Sequence, residues 1–300
     1  MSVNLWLRGG LGNQLFQYSF ALLVSRQMSL PLEIHSRLIP CEPDLYRDSG
    51  RWPQQISSFN HSGILHTGKC QPPGKTDFAS KAHTALGYLL DSFPRTMANL
   101  GFIGGQQEKD WGSLIAQVSR RTEVYLNGYF IQKFAPYKLR SELVRQILGQ
   151  ESVSDFSHAR PDREYFALHM RLGDNILQNK NLFKYYGAFY KQAVRQVEDE
   201  LGEQRFILFS DQPEIASDFL RNAIGVRDVS TSKTTSAIQT LREMASCSGL
   251  IATPSTFAWW AGFLQENQSR IYMGRPWSNA SQFDDDSVYS DAWNLVSTRI

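Results

Sequence analysis

His169 and Arg171, separated by one residue, stand in the run His169-Met170-Arg171-Leu172-Gly173-Asp174, directly after the stretch from Glu164 to Leu168. Side chains of an extended segment alternate, so the two face the same way. A guanidinium donates two parallel hydrogen bonds in one plane and keeps its charge at any working pH, which suits a diphosphate. Each residue also has a plain structural reading: a satisfied strand-end histidine, and an Arg171–Asp174 ion pair. Their alternation, and a place at the C-terminal end of a strand where open α/β sheets bind ligands, favours a shared site.

Three further runs carry polar groups in comparable places. Leu250 to Thr253 leads into Pro254-Ser255-Thr256-Phe257-Ala258-Trp259-Trp260, which sets Ser255 and Thr256 at a helix start, where hydroxyls and unpaired N–H groups receive phosphate. Trp259 and Trp260 lie a turn further in and read as packing rather than as sugar platforms. Asp211, in Phe209-Ser210-Asp211-Gln212-Pro213, is placed either to accept hydrogen bonds from a base or ribose, or to cap the helix that Pro213 opens. Near the N-terminus, Gly10-x-Gly12 follows the strand Val3 to Leu7, and Asn13-Gln14 offers two amides at a helix start. These amides can bind an anion or sugar hydroxyls, and Asn13 can equally be only a cap.

Other chemistries fit less well. Glu33 lies 21 residues after Gly12, as a ribose-binding acid of a dinucleotide fold would, but Leu15 stands where the third glycine of that fingerprint belongs. The run Asp284-Asp285-Asp286 has the spacing of a metal-binding Asp-x-Asp pair, yet it follows a turn containing Ser and Asn rather than an apolar strand and reads as a solvated loop. Cys41, Cys70 and Cys247 are far apart and form no zinc or disulfide framework.

The elements that must position these groups are legible as an α/β pattern with parallel sheets. Strands are expected at Val3–Leu7, Leu32–Ile34, Glu123–Leu126, Tyr165–Leu168, Phe206–Phe209, Leu250–Thr253 and Ile271–Met273. An amphipathic helix is expected from Asn13 to Met28. Another carries Phe183, Tyr186, Tyr190, Val194, Val197 and Leu201 at helical spacing, and a third, from about Thr235, carries Ile238, Leu241 and Met244. Cys41 to Gly74 reads as an irregular, acceptor-contacting insertion. Arg160-Pro161-Asp162 closes a polar stretch and reads as a boundary, giving domains 1–158 and 159–300.

A chain of 300 residues exceeds the usual size of a single core. Its 31 Lys+Arg against 29 Asp+Glu leave a net charge of +2, with no global basic face for a nucleic acid. The N-terminus has no charged leader with a long apolar run, and no stretch has the length of a membrane span, so the expectation is a soluble, cytoplasmic protein.

In chain order, Gly9-Gly10-Leu11-Gly12-Asn13-Gln14-Leu15-Phe16-Gln17-Tyr18, His169-x-Arg171-x-Gly173-Asp174, Phe209-Ser210-Asp211 and Ser255-Thr256-Phe257-Ala258-Trp259-Trp260 together resemble the bacterial α-1,2-fucosyltransferases, glycosyltransferase family 11. The resemblance runs through nearly the whole chain. It implies a GT-B-type architecture, two Rossmann-like domains with the donor in the cleft between them. It also implies inverting transfer of fucose from GDP-β-L-fucose, without a metal or other cofactor, to the 2-hydroxyl of a galactose in a surface glycan such as an O-antigen. By the same resemblance the C-terminal domain binds the GDP-sugar and the N-terminal domain the acceptor. Arg171 would hold the diphosphate with His169 and Asp211 near the nucleotide, Ser255 and Thr256 would hold phosphate oxygens, and Asn13, behind Gly10 and Gly12, would lie near the fucose. A lipid-linked acceptor would bring the enzyme to the inner face of the cytoplasmic membrane. The chain departs from the family pattern at Leu172, where a second basic residue is common, at Asn175, at Gln212 and at Thr253-Pro254. Asp174 and Glu33 are candidate acceptors of the acceptor hydroxyl's proton. The competing readings are a GDP-sugar or glycan-binding protein without turnover, and an NAD-dependent oxidoreductase using Glu33.

Overall fold

The computed structural model describes residues 1–36, 55–66, 89, 93–105, 111–149, 165–173, 181–277 and 285–298. These fall into two compact units that divide between Ile147 and Leu148. Each is built on a parallel sheet, the pair of Rossmann-like α/β units expected of a GT-B-type chain. The boundary expected at residues 158 and 159 lies outside the described residues.

The first unit has five strands, β1 (Ser2–Trp6), β2 (Leu32–His35), β3 (Ile64–His66), β4 (Phe102–Gly105) and β5 (Glu123–Gly128), in the order β3-β2-β1-β5-β4. Every neighbouring pair is parallel. Val3 and Leu5 are fully buried on one face, while Asn4 and Trp6 alternate onto the other. On that second face a stacked row of rings crosses all five strands, His66 to His35, Trp6, Tyr125 and Phe102.

Helix α1 (Leu11–Met28) lies over β1. It is not amphipathic as expected. All but one of the residues from Leu11 to Ser25 are buried, the exception being Asn13. The reason is that α1 is covered on more than one side: Phe20 stacks on Phe130 at 4.3 Å and meets the edge of Trp111 at 5.1 Å. Trp111 opens α3 (Trp111–Val118), which follows the short α2 (Pro94–Asn99). After β5 come α4 (Phe134–Lys138) and α5 (Arg140–Leu148). The region expected to be irregular between Cys41 and Gly74 contains the short β3 among its described residues.

The second unit has six parallel strands: β6 (Tyr165–Met170), β7 (Arg205–Ser210), β8 (Val229–Thr231), β9 (Leu250–Ala252), β10 (Ile271–Arg275) and β11 (Asn294–Ser297). Their order is β11-β10-β9-β6-β7-β8. Numbered within the unit this is 3-2-1-4-5-6, the strand order of dinucleotide-binding folds, and the winding reverses between β6 and β9.

Helix α6 (Leu182–Leu201) buries Tyr186, Tyr190, Val194 and Val197 of the predicted face in the core of the unit, with Phe183 and Leu201 partly buried, and adds Phe189 and Ala193, which the spacing does not single out. The unit is completed by α7 (Pro213–Phe219), α8 (Ala237–Ser246), α9 (Thr256–Leu264) and α10 (Asp285–Val288). Gly249, just before β9, has no room for a side chain, since a Cβ there would stand 2.2 Å from the Phe166 ring. Trp259 and Trp260 are fully buried in α9, and the Trp259 indole N–H donates to the Val288 carbonyl at 2.8 Å. Their expected packing role is therefore observed.

Candidate active site

A crevice forms in an open parallel sheet where neighbouring strands send their connections to opposite faces, and ligands bind outside the strands' C-terminal ends there. In the second unit that point lies between β6 and β9, with His169 in register with Ala252. The chain leaving β6 carries Arg171, and the chain leaving β9 carries Ser255 and Thr256. On the other flank of β6, His169 is in register with Phe209 of β7, so Asp211 lies at the next strand end. The topology thus brings His169, Arg171, Asp211, Ser255 and Thr256 to one edge of one sheet.

His169 is buried, and its ring lies 6.0 Å from that of Phe257 on α9. Burial, with the charge of Arg171 as the second cause, pushes its pKa down to about 3, so the imidazole is neutral at working pH. Its Nδ1 is buried without a hydrogen-bond partner among the described residues. Native proteins seldom leave such an atom unused, and a ligand is one means of satisfying it.

The Arg171 backbone is fixed from two directions. Tyr190 donates its hydroxyl to the His169 carbonyl at 2.6 Å, and Tyr186 donates to the Arg171 carbonyl at 2.9 Å. The two tyrosines are one turn apart on α6, and the two carbonyls are two residues apart on the strand, so both periodicities meet at this strand end. From β7, the Asp211 Oδ1 accepts the Leu172 N–H at 2.8 Å. Asp211 is therefore not the cap of α7: that position is held by Gln212, which makes no side-chain capping bond. Leu172 is fully buried in the core of the unit, so the position where the family often has a second basic residue points inward in this chain.

Ser255 is the N-cap of α9 and its carbonyl accepts the Trp259 N–H at 2.9 Å. Its hydroxyl makes no capping bond, and the first turn of α9 has no acidic residue to neutralise the positive helix end. Thr256 follows as the first helical residue, partly exposed.

In the first unit, Gly9, Gly10 and Arg8 form the turn between β1 and α1. The backbone freedom resides in Gly9, at φ 75°, rather than in Gly10, which is the N-cap at φ −74°. A Cβ on Gly9 would stand 2.5 Å from the Asn13 Nδ2, so its absence makes room for that amide. Gly12 is buried in the first turn of α1. Gln14 is structural: it donates to the Gly9 carbonyl at 2.8 Å and accepts the Gln55 N–H at 3.2 Å. Gln17 clamps the Arg8 peptide, accepting its N–H and donating to its carbonyl, both at 2.9 Å. Of the two amides expected to face a ligand, Asn13 alone makes no such internal bond among the described residues.

Glu33 is the second residue of β2 rather than a strand-end residue, and its carboxylate contacts the His66 imidazole. That placement differs from the ribose-binding position of the NAD reading. Asp174, Asn175 and Asp284 lie outside the described residues.

Among the described residues, no helix is long and apolar enough to cross a membrane. A family model described as "Glycosyl transferase family 11" matches residues 112–297. The O-antigen biosynthesis glycosyltransferase WbnK of Escherichia coli is 31% identical over 129 residues, which are 40% of this chain and 42% of that protein. The chain thus matches less than half the length of this curated relative. Among solved structures, the fucosyltransferase NodZ from Bradyrhizobium is similar at 12% identity, with 88% of this chain and 92% of that chain covered and a TM-score of 0.49. FUT1 of Arabidopsis thaliana in complex with GDP is similar at 11% identity, with 95% and 72% covered and a TM-score of 0.49. The family match takes in β5, all six strands of the second unit and each of the strand-end groups gathered at β6, β7 and β9, and on that ground the chain belongs to glycosyl transferase family 11.

Proposed function

We propose that the chain transfers L-fucose, with inversion and without a metal, from GDP-β-L-fucose to the 2-hydroxyl of a galactose in a surface glycan of the O-antigen type. The observation that carries this reading is the convergence of Arg171, His169, Ser255 and Thr256 at the strand-order reversal of the second unit. Family membership, the motifs shared with α-1,2-fucosyltransferases and the O-antigen glycosyltransferase relative support the sugar chemistry.

Cleavage of the fucose–phosphate bond leaves negative charge on GDP. In this reading the Arg171 guanidinium binds the diphosphate and stabilises that charge, with the unneutralised head of α9 and the Ser255 and Thr256 hydroxyls receiving phosphate oxygens. His169, neutral and fixed by its peptide, offers a hydrogen bond to the nucleotide without adding a second charge. Tyr186, Tyr190 and Asp211 are positioning residues, acting through the peptides of residues 169–172. Asn13 lies near the fucose. A neutral galactoside serves as acceptor in solution, and a lipid-linked one at the inner membrane face.

Incubation with GDP-fucose, GDP-mannose or UDP-galactose, a β-galactoside and a chelator tests the proposal, with product linkage read by NMR. The expected result is an α-1,2-fucoside from GDP-fucose alone, undiminished by the chelator. GDP affinity with no glycoside formed would favour a binding protein instead, and loss of turnover with chelator would overturn the metal-free mechanism.

A further inference from the structure

The first unit also reverses its winding, between β1 and β5, and Arg8, Asn127 and the start of α1 meet beside that point. Arg8 leaves the end of β1 with both of its peptide groups clamped by the fully buried Gln17. Its partly exposed guanidinium donates to the Asn127 Oδ1 at 2.5 Å and lies 5.0 Å from the centre of the Tyr129 ring. Both partners come from the end of β5, so the cation is aimed by two elements and not left to its own rotamers.

Beside it, the 18-residue α1 begins at Gly10 with no side-chain cap and no acidic residue in its first turn. Its first N–H groups and positive end are thus unneutralised by local sequence. The second observation is Asn127 itself. It is 1% exposed, and its Nδ2 has no hydrogen-bond partner among the described residues. Because Oδ1 and Nδ2 share one carboxamide, this unspent donor lies beside the same guanidinium. A buried donor without an acceptor is destabilising, and an arriving oxygen would relieve that penalty.

We propose that Arg8, Asn127 and the head of α1 form a second oxyanion site, in the first unit, that holds a phosphate or carboxylate group of a substrate. This rests on the fucosyl-transfer reading, under which that group belongs either to the donor's diphosphate or to an anionic acceptor such as a glycan on a prenyl diphosphate. Arg8 binds the anion and Asn127 positions Arg8.

Steady-state kinetics of Arg8→Gln with GDP-fucose, a neutral methyl β-galactoside and the same galactoside on a prenyl diphosphate separate the sources. The expected result is a KM raised about tenfold to hundredfold for the substrate carrying the anion, with kcat changed less than about threefold. A rise confined to GDP-fucose assigns the donor, and one confined to the prenyl diphosphate assigns the acceptor. No KM shift above about twofold with any substrate overturns the site. The wild-type protein gives an independent answer should the variant not fold: phenylglyoxal modification of Arg8 and Arg171, read peptide by peptide with and without inorganic pyrophosphate. Protection of Arg8 supports the inference. Protection of Arg171 with Arg8 unaffected overturns it while leaving the proposed function standing, and protection of neither counts against both.

Discussion

The two strand-order reversals of this molecule are furnished in opposite ways. In the second unit, the groups that fix the strand end come from elsewhere: Tyr186 and Tyr190 from α6 and Asp211 from β7. At the edge, the His169 Nδ1 has no hydrogen-bond partner among the described residues, and the Ser255 hydroxyl makes no capping bond. In the first unit, the helix that follows the turn supplies the restraint, since Gln14 and Gln17 of α1 are consumed in holding Arg8 and Gly9. The difference teaches that a polar motif residue is not thereby a ligand contact. Position within the motif decides whether the side chain turns back on the chain or outward.

The largest effect should come from Arg171. Under the proposed function Arg171→Ala removes the charge that stabilises the leaving diphosphate, and kcat with GDP-fucose is expected to fall about 10²–10³-fold with little change in thermal stability. Gln17→Ala tests the opposite half of the comparison. It strips both partners from the Arg8 peptide beneath a buried helix, so stability should fall by about 2–4 kcal/mol in a denaturant titration. Tyr190→Phe keeps the ring but leaves the His169 carbonyl without its donor. The expectation is about 1–3 kcal/mol of stability and a roughly tenfold lower kcat/KM, whereas a role in packing alone would leave kcat/KM unchanged.

A further effect is one of pH and is confined to acid. An unfolded histidine binds its proton near pH 6.5, while buried His169 does not until about pH 3, so the unfolded state holds more protons between these limits. The cost is absent above pH 6.5 and grows as pH falls, at up to about 1.4 kcal/mol per pH unit. In thermal melts, His169→Asn should flatten that acid slope. An unchanged slope would show that His169 is not the buried neutral group described.

Much of the fold was legible, and what was not has a common cause. The strands read from sequence were β1, β2, β5, β6, β7, β9 and β10, each with a neighbour on both sides. The strands missed, β3, β4, β8 and β11, are the four sheet edges. Val229-Ser230-Thr231 is short and only partly buried, and Phe102-Ile103-Gly104-Gly105 ends in two glycines, so neither edge strand has the apolar run by which a central strand is recognised. The strand-end residues Arg171 and Ser255 were legible because strand ends are. Their supports were not. Tyr186 and Tyr190 read only as apolar positions on a helix face, although two buried hydroxyls one turn apart already require acceptors. Asp211 was placed at the correct strand end, but that it pins the peptide of Leu172 depends on the pairing of β6 with β7, which sequence alone does not reveal.

Hydrogen–deuterium exchange with and without GDP tests the central contrast most directly. Protection is predicted in the peptides that carry residues 165–173 and 250–260, the ends of β6 and β9 and the head of α9. Protection confined to the turn between β1 and α1, with the second unit unchanged, would contradict the assignment of the nucleotide to Arg171 and its neighbours.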